Sequence, residues 1–155
     1  LISKIKVKNI MSKSPVAGSP DLTVEETAEI LLNNKISGVP VVDEKGKVVG
    51  TITQTDLFRV LIALTGVGKR GIQLAFQVAD RPGSIKDLAD PIRKHGGRMV
   101  SILTSYDNVP DGFRKVYIRM YGLDRAKLPA LKEELAKAAK LLYLVDHREN
   151  RREIY

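Results

Sequence analysis

The stretch TGVGKRG, residues 65–71, separates two segments that have different hydrophobic patterns. Its three glycines interrupt both helical and strand periodicity, which is typical of a domain boundary. The flanking segments, residues 1–66 and 71–147, are each of a size that buries only about 60% of its unfolded surface. We therefore expect two small domains that are each stabilised by contact with a neighbouring surface. A basic tail follows over residues 148–155.

The first segment predicts the order helix, strand, strand, helix. TVEETAEILLNN opens with a capping box, Thr23 and Glu26, and then shows helical spacing of apolar residues. GVPVVD and KVVGTIT are β-branched runs joined by the polar turn DEKGK, which indicates a hairpin. TQTDLFRVLIAL has apolar residues at i, i+3, i+4 and i+7, so we expect a second amphipathic helix there.

The second segment predicts the order βαββαβ, which is the ferredoxin-like pattern. GIQLAFQV alternates with period two, and SIKDLADPIRKHGG follows as a helix whose Ser84 and Asp87 form a second predicted capping box. Pro91 lacks an N–H group, so we expect this helix to kink or end early. Two strands, a helix and a last strand complete the pattern, and the fold class of the whole chain is α+β.

The first segment resembles a CBS domain, the adenosyl-binding regulatory module. The resemblance lies in IMSKSPVAGSPDLTVEETAEILLNNKISGVPVVDEKGKVVGTITQTDL and extends over nearly all of residues 7–66. Related bacterial proteins of the acetoin-utilisation type carry two CBS repeats before a C-terminal ACT domain. One repeat is visible here, and LISKIKVKNIM resembles the linker between two repeats, so the resemblance implies that a first repeat precedes this sequence.

The CBS resemblance implies an adenine-nucleotide site. In GTITQTDL a strand ends at Thr53 and Asp56 follows one turn into a helix, so that a hydroxyl, free amides and a carboxylate come together. A carboxylate can accept from ribose hydroxyls, and helix N-terminal amides suit phosphate oxygens. Thr-x-x-Asp is also a capping box, which remains the alternative interpretation. The residues expected to sandwich the adenine are Val16, Gly38, Val39 and Pro40. The alternative interpretation is that these four residues only form a core strand.

The second segment resembles an ACT domain, a small-molecule-sensing module, through LAFQVADRPGSIKDLADPIRKHGGRMVSI and over residues 71–147. The turn in VADRPGSI offers free amides that suit a carboxylate, while Asp80 offers a partner for an ammonium group. The resemblance implies that the following strand of a partner chain completes the pocket. Many amino-acid-binding members carry Asn where this chain has Arg98, and a tight structural turn is the alternative. The candidate residues are Asp80, Gly83, Ser84, Ile85, Arg98 and Ser101.

Composition limits the classes of function. The chain has a net charge of +8, most of which lies after Val67, so an anionic partner is plausible. It has no cysteine, its two histidines have no second ligand at metal spacing, and no nucleophile–base arrangement is legible. We therefore expect a cytoplasmic protein that is not an enzyme and holds no metal.

The prediction is a regulatory sensor without catalytic activity. It binds AMP, ADP, ATP or S-adenosylmethionine at the CBS domain, senses a small metabolite or amino acid at an ACT dimer interface, and forms a homodimer or higher oligomer. The alternative is a basic module for single-stranded nucleic acid, because such domains share the βαββαβ order. In that alternative, Phe113 and Phe76 would be the stacking aromatics and Lys115 would occupy a stacking position.

Overall fold

The computed structural model describes residues 4–155. The chain divides into two compact units whose boundary falls between Val60 and Leu61. The predicted boundary lay a few residues later, in the glycine-rich stretch. Because the boundary falls inside a helix, the second unit begins with the last turn of that helix and not with a loop.

The first unit has the predicted order of helix, strand, strand and helix. Its elements are α1 (Val24–Asn34), β1 (Gly38–Val42), β2 (Val48–Thr53) and α2 (Gln54–Thr65). The capping box at the start of α1 is present in both directions: the Thr23 side chain accepts from the Glu26 N–H, and the Glu26 carboxylate accepts from the Thr23 N–H. β1 and β2 pair antiparallel as a two-stranded hairpin.

The hydrophobic core of the first unit is small. Within residues 4–60 the buried positions are Gly18, Thr27, Leu31 and Val39. Leu32, the residue after Leu31 in α1, is 76% exposed. No residue of α2 is buried. The apolar side chains of this unit therefore remain largely in contact with solvent.

The second unit carries the predicted βαββαβ order. Its elements are β3 (Ile72–Ala79), α3 (Ser84–Lys94), β4 (Arg98–Ser105), β5 (Phe113–Tyr121), α4 (Leu128–Ala138) and β6 (Lys140–Asp146). The strands are antiparallel and lie in the order β4-β5-β3-β6, which is the ferredoxin-like arrangement. Alternation with period two sends Leu74, Phe76 and Ile118 to one face, where they join the core with α3 and α4.

The C-terminal segment differs from the predicted basic tail. Residues Arg151–Ile154 form a further strand, β7, which pairs antiparallel with β6 and extends the sheet to five strands. Lys132 on α4 donates to the Glu153 carboxylate at 2.6 Å, which attaches the strand to the helix. This hydrogen bond lowers the pKa of Glu153 to about 2, with further help from Tyr155. The basic residues of this segment are therefore part of the domain.

One prediction about α3 is wrong, and the early end expected at Pro91 does not occur. The residue before the helix is Gly83, at φ 88°, and Ser84 is already its first helical residue, so Ser84 and Asp87 do not form a capping box. The helix also continues through Pro91 as far as Lys94. Burial of Leu88 and Ile92 on both sides of the proline stabilises the helix against the lost hydrogen bond.

Two glycines of the linker give a test of the packing before β3. A Cβ atom on Gly71 would lie 1.9 Å from the Met120 carbonyl oxygen, whereas a Cβ atom on Gly68 would meet nothing within 4 Å. We expect Gly71→Ala to lower the free energy of unfolding by about 1–3 kcal/mol, because backbone must move to admit the methyl group. Gly68→Ala should change it by less than about 0.5 kcal/mol. Urea unfolding of the two variants measures this, and equal losses would contradict the close approach.

Candidate functional site

A groove on the hairpin of the first unit collects most of the predicted nucleotide residues. It has a volume of about 320 Å³. Its lining residues are Gly38, Val39, Pro40, Thr51, Ile52 and Thr53. Strand register explains the grouping, since Gly38 pairs with Thr53 and Pro40 with Thr51. Four of the six predicted residues thus line one surface.

The junction of β2 and α2 brings Thr53 and Asp56 together. The Asp56 Oδ2 atom accepts from the Thr53 N–H at 2.9 Å and from the Thr53 hydroxyl at 2.6 Å. The Asp56 N–H in turn donates to Thr53 Oγ1 at 3.3 Å. These hydrogen bonds, the Thr53 hydroxyl first, lower the pKa of Asp56. The capping box therefore exists, and it keeps the carboxylate ionised beside the groove.

The second oxygen of Asp56 faces an exposed cation. Arg59 Nη1 donates to Oδ1 at 3.1 Å, and the side chains of Asp56 and Arg59 are 40% and 74% exposed. Ion pairs between exposed groups are weak, at about 0–1 kcal/mol. Oδ1 is thus accessible to a stronger hydrogen-bond donor such as a vicinal diol. No sequence signal marks Arg59 beyond its position one turn after Asp56.

Val16 lies near the groove but outside its lining residues. It is exposed and stands two residues before Gly18, which forms a parallel bridge with Val41 of β1. The Gly18 N–H donates to the Pro40 carbonyl at 2.9 Å. The segment that carries Val16 is therefore tied to β1, next to the groove.

The turn between β3 and α3 has a different geometry from the predicted one. Ser84 is buried, and its Oγ accepts from Arg114 Nη2 at 2.9 Å. Arg114 Nε also lies 3.5 Å from Asp80 Oδ1. Asp80 therefore already faces a cation, while Gly83 and Ile85 present the helix N-terminus. Arg114 was missed because nothing in the strand pattern of FRKVYIRMY distinguishes it from a solvent-exposed base.

Arg98 and Ser101 lie far from this turn within one chain. Arg98 pairs with Tyr121 in the sheet, at the opposite end of β5 from Phe113, which pairs with Ala79. The eight residue steps from Phe113 to Tyr121 correspond to about 27 Å of strand. Arg98 stacks over the Tyr121 ring at 5.8 Å, and the Ser101 hydroxyl donates to the Thr65 carbonyl. One chain alone does not assemble the predicted metabolite pocket.

The structure weakens the nucleic-acid alternative. Phe76 is fully buried in the core on the helical side of the sheet, so it presents no ring to a base. Phe113 is partly exposed at the end of β5, and Lys115 donates to the Asp107 carbonyl at 2.8 Å. Base stacking on this type of fold needs aromatic rings on the open sheet face. Phe76, one of the two predicted stacking residues, is not there.

Among residues 4–155, no group of three or more His, Asp or Glu side chains is placed to hold a metal ion. In the same residues no helix has the length and apolarity needed to cross a bilayer.

The chain is similar to solved ACT structures. One is the ACT domain from GTP pyrophosphokinase of Chlorobium tepidum, with 17% identity and a TM-score of 0.36, covering 53% of this chain and 95% of that one. Another is the regulatory subunit of aspartate kinase from Thermus thermophilus, with 16% identity and a TM-score of 0.36, covering 47% of this chain and 52% of that one.

Curated relatives match over about a third of the chain. An uncharacterized protein of Methanocaldococcus jannaschii is 36% identical over 59 residues, which are 38% of this chain and 35% of that protein. L-aspartate semialdehyde sulfurtransferase of the same archaeon is 42% identical over 55 residues, 36% of this chain and 11% of the enzyme. Inosine-5'-monophosphate dehydrogenase of Aquifex aeolicus is 46% identical over 52 residues, 34% and 11% respectively. The chain therefore spans about a third or less of the length of these relatives.

The enzymes among these relatives share with this chain a short stretch and not the bulk of their length. The CBS domain family model matches residues 7–63, which include the groove and the Thr53–Asp56 junction. Residues 7–63 are therefore a CBS domain.

Proposed function

We propose that this chain is a regulatory sensor that binds an adenine nucleotide, such as AMP, ADP, ATP or S-adenosylmethionine, at its CBS domain. CBS domains are typically regulatory ligand-binding modules. The observation that carries the proposal is the groove beside Thr53, Asp56 and the N-terminus of α2. The apolar backbone of Gly38 to Pro40 suits an adenine ring, the Asp56 carboxylate suits the ribose diol, and the first amides of α2 suit a phosphate.

Substitution of Asp56 tests the proposed nucleotide site most directly. We expect Asp56→Ala to weaken adenine-nucleotide binding about 10- to 150-fold, the loss that corresponds to a hydrogen bond with a charged acceptor. Isothermal titration calorimetry with AMP, ADP, ATP and S-adenosylmethionine measures the affinities of wild type and variant.

Glu26→Ala is the control variant for the loss of a helix cap alone. This change removes the equivalent acidic residue of the α1 capping box, which lies away from the groove residues in sequence and makes the same type of bond. It should cost a similar stability and leave nucleotide affinity unchanged. Equal affinities of wild type and Asp56→Ala would make Asp56 a structural cap only.

We further propose that the CBS domain pairs with a second copy. Val49 on β2 is 55% exposed and Phe58 on α2 is 61% exposed, and their apolar neighbours in the hairpin and helix are exposed as well. Contiguous apolar patches of this kind mark interfaces. A two-fold arrangement lets the same patch serve both partners, so a homodimer or a higher oligomer covers this surface economically.

The oligomeric state tests the pairing. Light scattering at micromolar concentration should give a mass of at least twice 17.2 kDa for the wild type. Phe58→Asp should shift the population toward monomer, because a charge in the interface lacks a partner. Asn33→Asp, which makes the same change of charge at an exposed polar site, should not. A monomeric wild type would contradict the proposal.

The C-terminal unit is proposed to be an ACT domain that binds a small metabolite between two chains. Support comes from its βαββαβ order and from the turn, where Gly83 and Ile85 open α3 and Arg114 adds a positive charge. Since Arg98 and Ser101 lie at the other end of their own sheet, they reach such a ligand only from a partner chain. The cationic surroundings favour a carboxylate-rich metabolite over a neutral amino acid.

Substitution of Arg98 tests the character of this site. Dicarboxylates should bind the wild type more tightly than neutral amino acids, and Arg98→Asn should reverse the order by removing the cation. Calorimetry with succinate, glutamate and valine measures both proteins. Failure of every ligand to bind either protein, with dimerisation intact, would leave the turn as an assembly element and remove the metabolite proposal.

A further inference from the structure

The face of the sheet opposite α3 and α4 carries two rows of side chains that run across all five strands. One row is Ser101, Arg119, Gln73, Val145 and Arg152, and the next is Leu103, Tyr117, Ala75, Tyr143 and Ile154. Each row follows from the strand register, and the two share a face because strand side chains alternate with period two. Polar and basic groups thus lie beside a row of apolar and aromatic ones.

Arg119 in the first row is a buried cation without an acid. Its side chain is 5% exposed, and Nη2 donates to the Gln73 Oε1 atom at 2.9 Å. In the described chain, Nε and Nη1 of Arg119 make no hydrogen bond. Burial lowers the pKa of this guanidinium. A buried charge whose N–H groups lack hydrogen-bond partners destabilises the folded state, so the presence of Arg119 at this position needs an explanation.

His147 adds a second open donor near Arg119. Its Nε2 atom is buried and, within residues 4–155, has no hydrogen-bond partner. Burial lowers the pKa of His147, and the positive charges of Arg119 and Arg152 lower it further. The imidazole is therefore held neutral, and in the tautomer with a proton on Nε2 it donates one hydrogen bond.

The acidic residues nearby already have cationic partners. Asp146 accepts from Nε and Nη2 of Arg125, both at 3.0 Å, and Glu153 accepts from Lys132. Neither carboxylate bonds to Arg119 or His147. This part of the sheet therefore carries positive charge that these two carboxylates do not pair with.

A groove of about 290 Å³ adjoins His147, and Arg119 is outside its lining residues. His147, Arg152 and Gln73, the hydrogen-bond partner of Arg119, line it. Its remaining wall is mostly apolar and includes Tyr143, Val145 and Ile154. This volume is at the lower limit of typical small-molecule sites, so it fits one small ligand with an apolar part.

We propose that this sheet face binds a small organic carboxylate that carries an aromatic or branched apolar group. The carboxylate accepts from the open N–H groups of Arg119 and from His147 Nε2, and the apolar group packs on Tyr143 and Ile154. The site is separate from the CBS groove and from the turn before α3, and it does not depend on either of those proposals.

Phenylacetate is a suitable probe, with phenylacetamide as its uncharged counterpart of the same shape. We expect the full chain to bind phenylacetate with a Kd of about 1 mM, a value ordinary for a ligand of this size, and phenylacetamide at least about tenfold more weakly. Amide shifts in two-dimensional NMR should change at Gln73, Tyr143 and His147 and stay unchanged at Gly83–Ile85. No saturable binding of phenylacetate, or equal binding of the two probes, would overturn the proposal.

Arg119→Met separates a binding role from a structural one. Removing an unpaired buried charge while keeping the volume should raise the melting temperature by a few degrees and abolish the preference for phenylacetate over the amide. His147→Phe should weaken phenylacetate binding by about tenfold, the loss of one hydrogen bond to a charged group. Arg148→Met, which removes an exposed charge close to His147 in sequence, should alter neither property. Undiminished phenylacetate affinity in both Arg119→Met and His147→Phe would contradict the assignment.

Discussion

The antiparallel pairing of β3 with both β5 and β6 is the constraint on which the second unit depends. This central strand pairs with β5 along its whole length and with β6 from Ile72 to Gln77, and its side chains alternate between two environments. Leu74 and Phe76 face the helices and are fully buried, whereas Gln73 and Gln77 face the other side and are half-buried. The two faces of this strand thus differ: one lies in the hydrophobic core that stabilises the fold, and the other is polar and available for function.

The first unit has a different balance. Its hairpin and two helices bury few side chains, and α2 buries none. Much of its local order comes from hydrogen bonds at chain reversals: the Thr23–Glu26 capping box, the Thr53–Asp56 capping box and the bridge between Gly18 and Val41. A unit held in this way gains stability from any partner or ligand that covers its apolar surface. The proposed nucleotide binding and the proposed association with a second copy both fall on this unit.

Arginines in the second unit show how context decides the role of a charge. Arg125 is bonded to Asp146 through two nitrogens and stabilises the join between the end of β6 and the segment before α4. Arg114 is bonded to Ser84 and lies beside Asp80, so it acts at the start of α3. Arg119 has an amide oxygen as its protein partner, Gln73. All three residues are arginines, and their neighbours in the folded structure give them different roles.

The sequence by itself determined the order of elements and the family of the first domain. Local signals suffice for this, because the residues that form a helix cap or a hydrophobic period lie close together in the sequence. Examples are the capping box of Thr23 and Glu26 and the alternation from Ile72 to Val78. Tertiary structure alone decided the outcomes that depend on distant partners. β7 forms because β6 has a free edge and Lys132 meets Glu153, and α3 passes Pro91 because Leu88 and Ile92 are buried. Likewise, Ser84 bonds to Arg114, 30 residues away, in place of Asp87, and the row from Ser101 to Arg152 exists only once five strands are in register. A local pattern specifies backbone conformation, whereas burial and charge pairing depend on residues that the chain brings together only when it folds.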